Sequence, residues 1–276
     1  MNSPPILTPR SAPINQFDGG LSAITSPALA DIASLRYAAL ASATTADVRP
    51  PTSGMSSPDR SADTLPAALT RHGIELPDDQ VAALDRFCRR LWDWNERLNL
   101  TRHTDYERFV RRDVIDAVHL EPFLDSGERV LDVGTGGGLP GALLAVMRPD
   151  LEVTLCDSVA KKARAVEAIV SEAGVTASVR HAAAQDLLKG EEFDTLVVRA
   201  VAPMAKLLTW FNPQWNAFRR LVLIKGPSWV DERAAARERR LLKGLRLSKL
   251  DSYPLPDTDS ESVILEIRPR ENEIDD

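Results

Sequence analysis

From Asp78 to about Leu100, apolar side chains return every three or four residues: Val81, Leu84, Phe87, Cys88, Leu91, Trp94 and Leu98. That period predicts one long amphipathic helix, with Asp78 and Asp79 at its positive end. Beyond residue 128 the pattern changes to alternation. Apolar runs at 129–133, 151–157, 176–182, 193–199 and 220–225 read as strands. Amphipathic stretches at 139–148, 159–173, 203–211 and 229–242 read as helices, and a short helical turn follows 176–182. Two further extended runs, 246–255 and 262–269, lie close enough in sequence to pair antiparallel. Strands that alternate with helices in this way make a mostly parallel sheet covered on both faces. The expected fold is α/β and Rossmann-like, with an antiparallel C-terminal strand.

The first 65 residues follow neither pattern. They are dense in Pro, Ser, Ala and Thr and poor in charge, so they cannot bury enough apolar surface to offset the entropy of ordering. A transient helix over 28–42 is the one periodic stretch there. The expected organisation is a disordered tail over 1–65, a helical extension over 66–127 and a sheet domain over 128–270. Met55 is an alternative start of translation. Met1 to Arg10 lacks a basic region followed by an apolar core, and Asp18 and Asp31 interrupt a segment poor in Arg, so neither a secretory signal nor a transit peptide is expected.

Composition narrows the class. Of 276 residues, 43% are hydrophobic and 27% charged, as in ordinary globular chains. No run approaches the ~20 apolar residues that cross a bilayer. Two cysteines, Cys88 and Cys156, make neither a disulfide framework nor a four-ligand zinc site, and His72, His103, His119 and His181 show no metal-ligand spacing. A cytoplasmic protein without metal or membrane partner is expected. The formal charge of −6 excludes a general nucleic-acid coat protein but leaves room for local basic surfaces. Two tracts qualify, Arg86 to Arg112 and Arg233 to Lys249. In the first, Arg86, Arg89, Arg90 and Arg97 interleave with Asp85, Asp93 and Glu96, which fits either a solvated face of ion pairs or a contact with RNA.

The sharpest local signal is the stretch from Val130 to Gly141, which contains Asp132, Gly134, Gly136, Gly138, Leu139 and Pro140. It falls where a strand ends and a helix begins. Glycines there allow a tight turn and close backbone approach to a ligand, and the helix start adds free N–H groups. A dinucleotide fingerprint requires glycine where Leu139 stands. The spacing, with an acid two places before the first glycine, instead resembles the first motif of class I S-adenosylmethionine-dependent methyltransferases. That resemblance puts Asp132 near the cofactor's amino-acid end, the glycines against the cofactor, and Asp157, at the end of the next strand, on its ribose hydroxyls. No Asn-Pro-Pro-Tyr type segment follows the fourth strand, which disfavours exocyclic amines as acceptors. Neither cysteine lies in a Pro-Cys context, which disfavours covalent attack on cytosine.

Five separated segments then agree with one family. They are Trp94 to Thr101, Asp132 to Gly141, Thr154 to Ser158 with Lys161 and Lys162, Val198 to Pro203, and Leu223 to Gly226. In order and spacing they resemble the RsmG/GidB family of bacterial 16S rRNA (guanine-N7) methyltransferases, over roughly residues 75–268. The resemblance implies S-adenosylmethionine as cofactor and 16S rRNA or the small ribosomal subunit as partner. It implies cofactor contacts at Gly134, Leu139, Ala184, Gln185 and Arg199, and a catalytic site with Arg199 and Lys225 as basic groups. The chain departs from the family at Asp113, where a histidine is usual, at Ala183 to Gln185, where Arg-x-Glu is usual, and at Ser262, where an arginine is usual. Fewer basic side chains imply weaker phosphate or guanine contacts. A non-catalytic or retargeted RNA-binding relative and a small-molecule methyltransferase are the competing functional readings. Guanine N7 carries an exposed in-plane lone pair, so its methylation needs no general base, and Arg199 is expected to hold the guanine or its phosphate.

Overall fold

The computed structural model describes residues 63–254 and 260–270. The expectation of a disordered tail falls, up to residue 62, outside the described residues. The chain then enters α1 (Leu65–Arg71), where the Thr64 side chain accepts a hydrogen bond from the Ala67 N–H at 3.3 Å and starts the helix. The long helix of the sequence pattern is α2 (Asp78–Asn95), and it buries Leu84, Phe87, Cys88 and Leu91 at helical spacing. It ends five residues before Leu100 because the Asn95 carboxamide turns the chain, accepting from the N–H groups of Leu100 and Thr101 at 2.7 and 2.9 Å. A second helical run falls within the helical extension expected over 66–127. It comprises α3 (Tyr106–Arg108), a π-helical segment (Phe109–Val114) and α4 (Ile115–Leu120). The apolar positions keep helical spacing through the π turn, and Phe109, Val110, Val114, Ala117 and Val118 are all buried.

The sheet strands are β1 (Arg129–Val133), β2 (Glu152–Asp157), β3 (Ser178–His181), β4 (Phe193–Arg199), β5 (Phe218–Lys225), β6 (Leu245–Pro254) and β7 (Glu261–Pro269). Their spatial order is β3-β2-β1-β4-β5-β7-β6. The first five run parallel, and β7 pairs antiparallel with both β5 and β6. The expected C-terminal pairing is present, with β7 inserted between β5 and β6. Between the strands run α5 (Gly141–Met147), α6 (Ala160–Ala173), α7 (Ala184–Leu187), α8 (Met204–Phe211) and α9 (Trp229–Glu238).

Alternation along each strand divides the core in two. Val130, Val153, Leu155, Val197, Val222 and Ile224 face α1, α2, the π segment, α4, α5 and α6. Leu131, Val133, Leu196, Val198, Leu221 and Leu223 face α7, α8 and α9. The helices before β1 therefore complete one layer of the domain. Strand order reverses between β1 and β4, and in open α/β sheets the crevice at the carboxyl ends of such strands takes the ligand.

Candidate functional site

At that crevice β1 ends in the glycine loop. Gly134, Gly136 and Gly138 have φ of +64°, +61° and +90°, a region closed to most side chains. The loop is wedged from two sides. A Cβ on Gly138 would stand 3.2 Å from the Phe87 ring of α2, and one on Gly134 would stand 2.9 Å from Val201. At Gly136 a Cβ would meet nothing nearer than the Gly134 carbonyl at 3.9 Å. The loop thus keeps an open face at its centre.

Both acids fix this loop. Asp132 is 1% exposed, and its Oδ2 accepts from the Thr135 hydroxyl at 2.6 Å and from the Gly141 N–H at 3.0 Å. Burial raises its pKa to about 6, against the lowering pull of those two hydrogen bonds. Asp157 accepts from the Gly136 N–H at 3.2 Å through Oδ2 and from the Val159 N–H at 2.8 Å through Oδ1. It joins the open centre of the loop to the start of α6. Leu139 is buried in the core beneath the helical layer, so it meets the crevice through its backbone. Ala184 is buried and Gln185 half-buried at the start of α7, beyond the end of β3.

Arg199 closes β4 on the face covered by the first helices, in step with Val197. Its guanidinium is held between two carboxylates, Nη1 to Asp116 and Nη2 to Asp113, each at 2.7 Å. Asp113 is fully buried and also bonds the His103 ring at 2.8 Å. Burial alone would raise the Asp113 pKa, but the charge of Arg199 and the hydrogen bonds from His103 and Arg199 outweigh it and hold the carboxyl below its ordinary range. Burial likewise pulls Arg199 down, and the two carboxylates overcome it and raise it. On its other side Asp116 accepts from the Tyr253 hydroxyl at 2.6 Å, and Tyr253 stacks on His119, their ring centroids 4.0 Å apart. Arg199, expected to hold the guanine or its phosphate, has both terminal nitrogens engaged by carboxylates of the protein. It is the centre of a network joining the π segment, α4 and β6.

Lys225 does not join Arg199. One residue out of step with Ile224, it lies on the opposite face of the sheet. Its Nζ donates to the Ala202 carbonyl at 2.7 Å and pairs with Glu232 of α9 at 2.9 Å, and the same Glu232 carboxylate accepts from the Met204 N–H at 2.7 Å. The lysine secures the loop that follows β4, rather than offering a free cation. That loop begins with Ala200 at φ +55° and carries Val201 against Gly134. Asp116, Tyr253 and Glu232 were not singled out in the sequence, Asp113 stood out only as a departure from the family, and His103 only as lacking metal-ligand spacing. The one signal that could have found the carboxylates is the alternation of β4, which turns Arg199 toward the segment holding Asp113 and Asp116.

On α2 the cations of the first basic tract are held by partners within the protein. Arg86 donates to the Ala173 carbonyl, Arg89 pairs with Asp85, and Arg90 pairs with Asp93 and Glu172. Arg97 and Arg102 are exposed near the crevice and have no carboxylate partner among the described residues. Of the departures from the family pattern, Asp113 and Ser262 are both buried.

A parallel sheet with its order reversed between β1 and β4, an antiparallel β7, and carboxylates at the tips of β1 and β2 around an open glycine loop define a class I S-adenosylmethionine-dependent methyltransferase. The family described as rRNA small subunit methyltransferase G matches residues 80–257. Proteins named ribosomal RNA small subunit methyltransferase G are similar over most of their length. That of Rhodopirellula baltica is 44% identical over 188 residues, covering 68% of this chain and 81% of the relative. Those of Alkalilimnicola ehrlichii and Clostridium novyi are 36% and 29% identical over 192 and 217 residues, covering 68% and 76% of this chain and 86% and 89% of the relatives. The chain belongs to the rRNA small subunit methyltransferase G family.

Proposed function

We propose that this chain transfers the methyl group of S-adenosylmethionine to N7 of a guanine in 16S rRNA, with the small ribosomal subunit or its RNA as substrate. The observation that carries the reading is the open glycine loop at Gly136, between the carboxylates of Asp132 and Asp157, in a chain of this family. The residues fit the cofactor. A cradle that a Cβ would fill lies at Gly136, with an acid fixed on either side of the loop. In this reading Asp157 holds the ribose, Gly134, Gly136, Gly138 and the Leu139 backbone line the amino-acid end beside Asp132, and Ala184 and Gln185 border the adenine. When bound, S-adenosylmethionine supplies an electrophilic methyl on a sulfonium sulfur.

The protein's part is alignment. Guanine N7 has its lone pair in the base plane and requires no deprotonation, so the site has no use for a general base. The guanine acquires positive charge as N7 is alkylated. That charge passes from the sulfonium to the purine, so no large new charge has to be neutralised, and the carboxylates of Asp113 and Asp116 serve to hold Arg199 in place. Arg199, held at both terminal nitrogens, retains donors for guanine O6 or a phosphate. Lys225 and Glu232 act as positioning residues for the 200–203 loop. Comparing 16S rRNA from cells with and without the gene tests the reading, using chain cleavage at 7-methylguanosine. One cleavage site that vanishes with the gene is expected. Unchanged cleavage, together with methyl transfer to small acceptors alone, would replace the reading with a small-molecule methyltransferase.

A further inference from the structure

The second basic tract is not absorbed by the site. Residues 233–249 carry seven Lys and Arg and one acid, Glu238, in a chain whose formal charge is −6. The tract folds around a cavity of about 550 Å³, walled by Arg237, Arg240, Lys243, Arg246 and Arg270 and floored by leucines, Leu245 among them. None of these five cations has a carboxylate partner among the described residues. Arg270 is placed by its Nε, which donates to the Leu245 carbonyl at 3.3 Å. On α2, by contrast, Arg89 and Arg90 are matched by Asp85, Asp93 and Glu172. The negative end of α9 accounts for Arg237 in its last turn. It does not account for Lys243 on the turn, Arg246 on β6 or Arg270 after β7. Like charges gathered around one concavity repel each other unless an anion shares it.

The cavity is remote from the crevice. Leu245 and Tyr253 lie on the same strand, and Tyr253 bonds the Asp116 that holds Arg199. They are paired seven residues apart along β7, a separation of about 23 Å. A small ligand at the crevice does not bridge that gap, whereas a folded RNA does. We infer that the cavity is a second RNA contact, which takes phosphates of the substrate's phosphodiester backbone on its cationic wall and a ribose on its leucine floor. The inference rests on the proposed RNA substrate.

The test uses the full chain with Lys243→Glu and Arg246→Glu together. Both side chains are exposed, so the fold is expected to keep its thermal midpoint. Filter binding to small-subunit RNA across a salt series should show affinity lowered roughly tenfold near physiological salt, and a slope of log affinity against log salt that is shallower by about 2. Methyl transfer should show a raised KM for the RNA, with kcat and S-adenosylmethionine affinity unchanged. Residues 271–276 add four acids directly after Arg270, so the same pair of substitutions is also made in a chain ending at Arg270. An equal loss in both backgrounds supports the inference. Parent-like RNA binding and salt slope in both would overturn it, as would a loss confined to vesicles of acidic phospholipid. A parent that binds RNA through this wall but methylates none overturns the proposed function and leaves the second contact standing.

Discussion

Asp132 is buried as an acid whose pKa lies near 6 instead of 3.8. The folded state therefore keeps its proton to higher pH than the unfolded chain does. The stabilisation this gives is complete below about pH 4 and is lost as pH rises through about 6, a change of about 3 kcal/mol. Asp132→Asn should abolish that dependence, so the stability of the parent relative to the variant should rise by about 3 kcal/mol between pH 7 and pH 4 in urea titrations. Parallel pH profiles for the two proteins would contradict the assignment. Between residues 134 and 141 the glycines divide into those that pack and Gly136, which leaves space. A Cβ on Gly141 would stand 2.3 Å from Leu155 and 2.7 Å from Asp132, so Gly141→Ala should destabilise the fold itself. The Cβ of Gly136→Val meets nothing nearer than 3.9 Å, and the backbone strain at φ +61° costs about 1–2 kcal/mol. It should remain folded by thermal melting while calorimetry shows S-adenosylmethionine binding lost. Undiminished binding would remove the loop from the site.

At the scale of elements, the Arg199 network ties β4 to helices that precede it by more than eighty residues. Arg199→Ala leaves the buried carboxylates of Asp113 and Asp116 without their cation and should cost about 3–5 kcal/mol in chemical denaturation. Adding Asp113→Asn should recover part of that loss, because the stranded charge is then gone. A double variant less stable than Arg199→Ala would show that repulsion is not the cause. Phe87→Ala should cost about 3–5 kcal/mol as well. It should also weaken cofactor binding, since its ring supports Gly138. Tight S-adenosylmethionine binding by a destabilised Phe87→Ala protein would separate α2 from the loop. These couplings explain what the sequence could reveal. Strand β4 was legible to its last residue, because apolar runs bounded by charge mark their own ends. The partners of Arg199 were not legible, since ion pairs across 83 and 86 residues leave no periodic trace. The helical run over 106–120 falls within the helical extension expected over 66–127, and Phe109, Val110, Val114, Ala117 and Val118 keep helical spacing in it. The insertion of β7 beside β5 was hidden, because a hairpin pattern does not say which of its strands joins the sheet.

Across the whole molecule, the helices before β1 are one wall of the core and of the crevice. Leu84, Phe87, Leu91, Phe109 and Val114 share a single buried cluster with Leu143, Leu155 and Ile169. A chain beginning at residue 128 should therefore fail to fold cooperatively, whereas one beginning at Met55 retains every described element. A cooperative melt from the 128–270 fragment would contradict this arrangement. The glycine motif was legible because backbone geometry demands glycine there. The wall behind it was not, because apolar helices advertise burial without naming what they cover. Function joins these scales at one place, the crevice between Gly136 and the loop after Arg199. Its most direct test is transfer from methyl-labelled S-adenosylmethionine by the purified chain to small ribosomal subunits that lack the modification. Label recovered as 7-methylguanosine in 16S rRNA, at a single position and abolished by Gly136→Val, is the predicted result. Label absent from the RNA of subunits and of their isolated 16S rRNA alike, with S-adenosylmethionine bound normally, would contradict it.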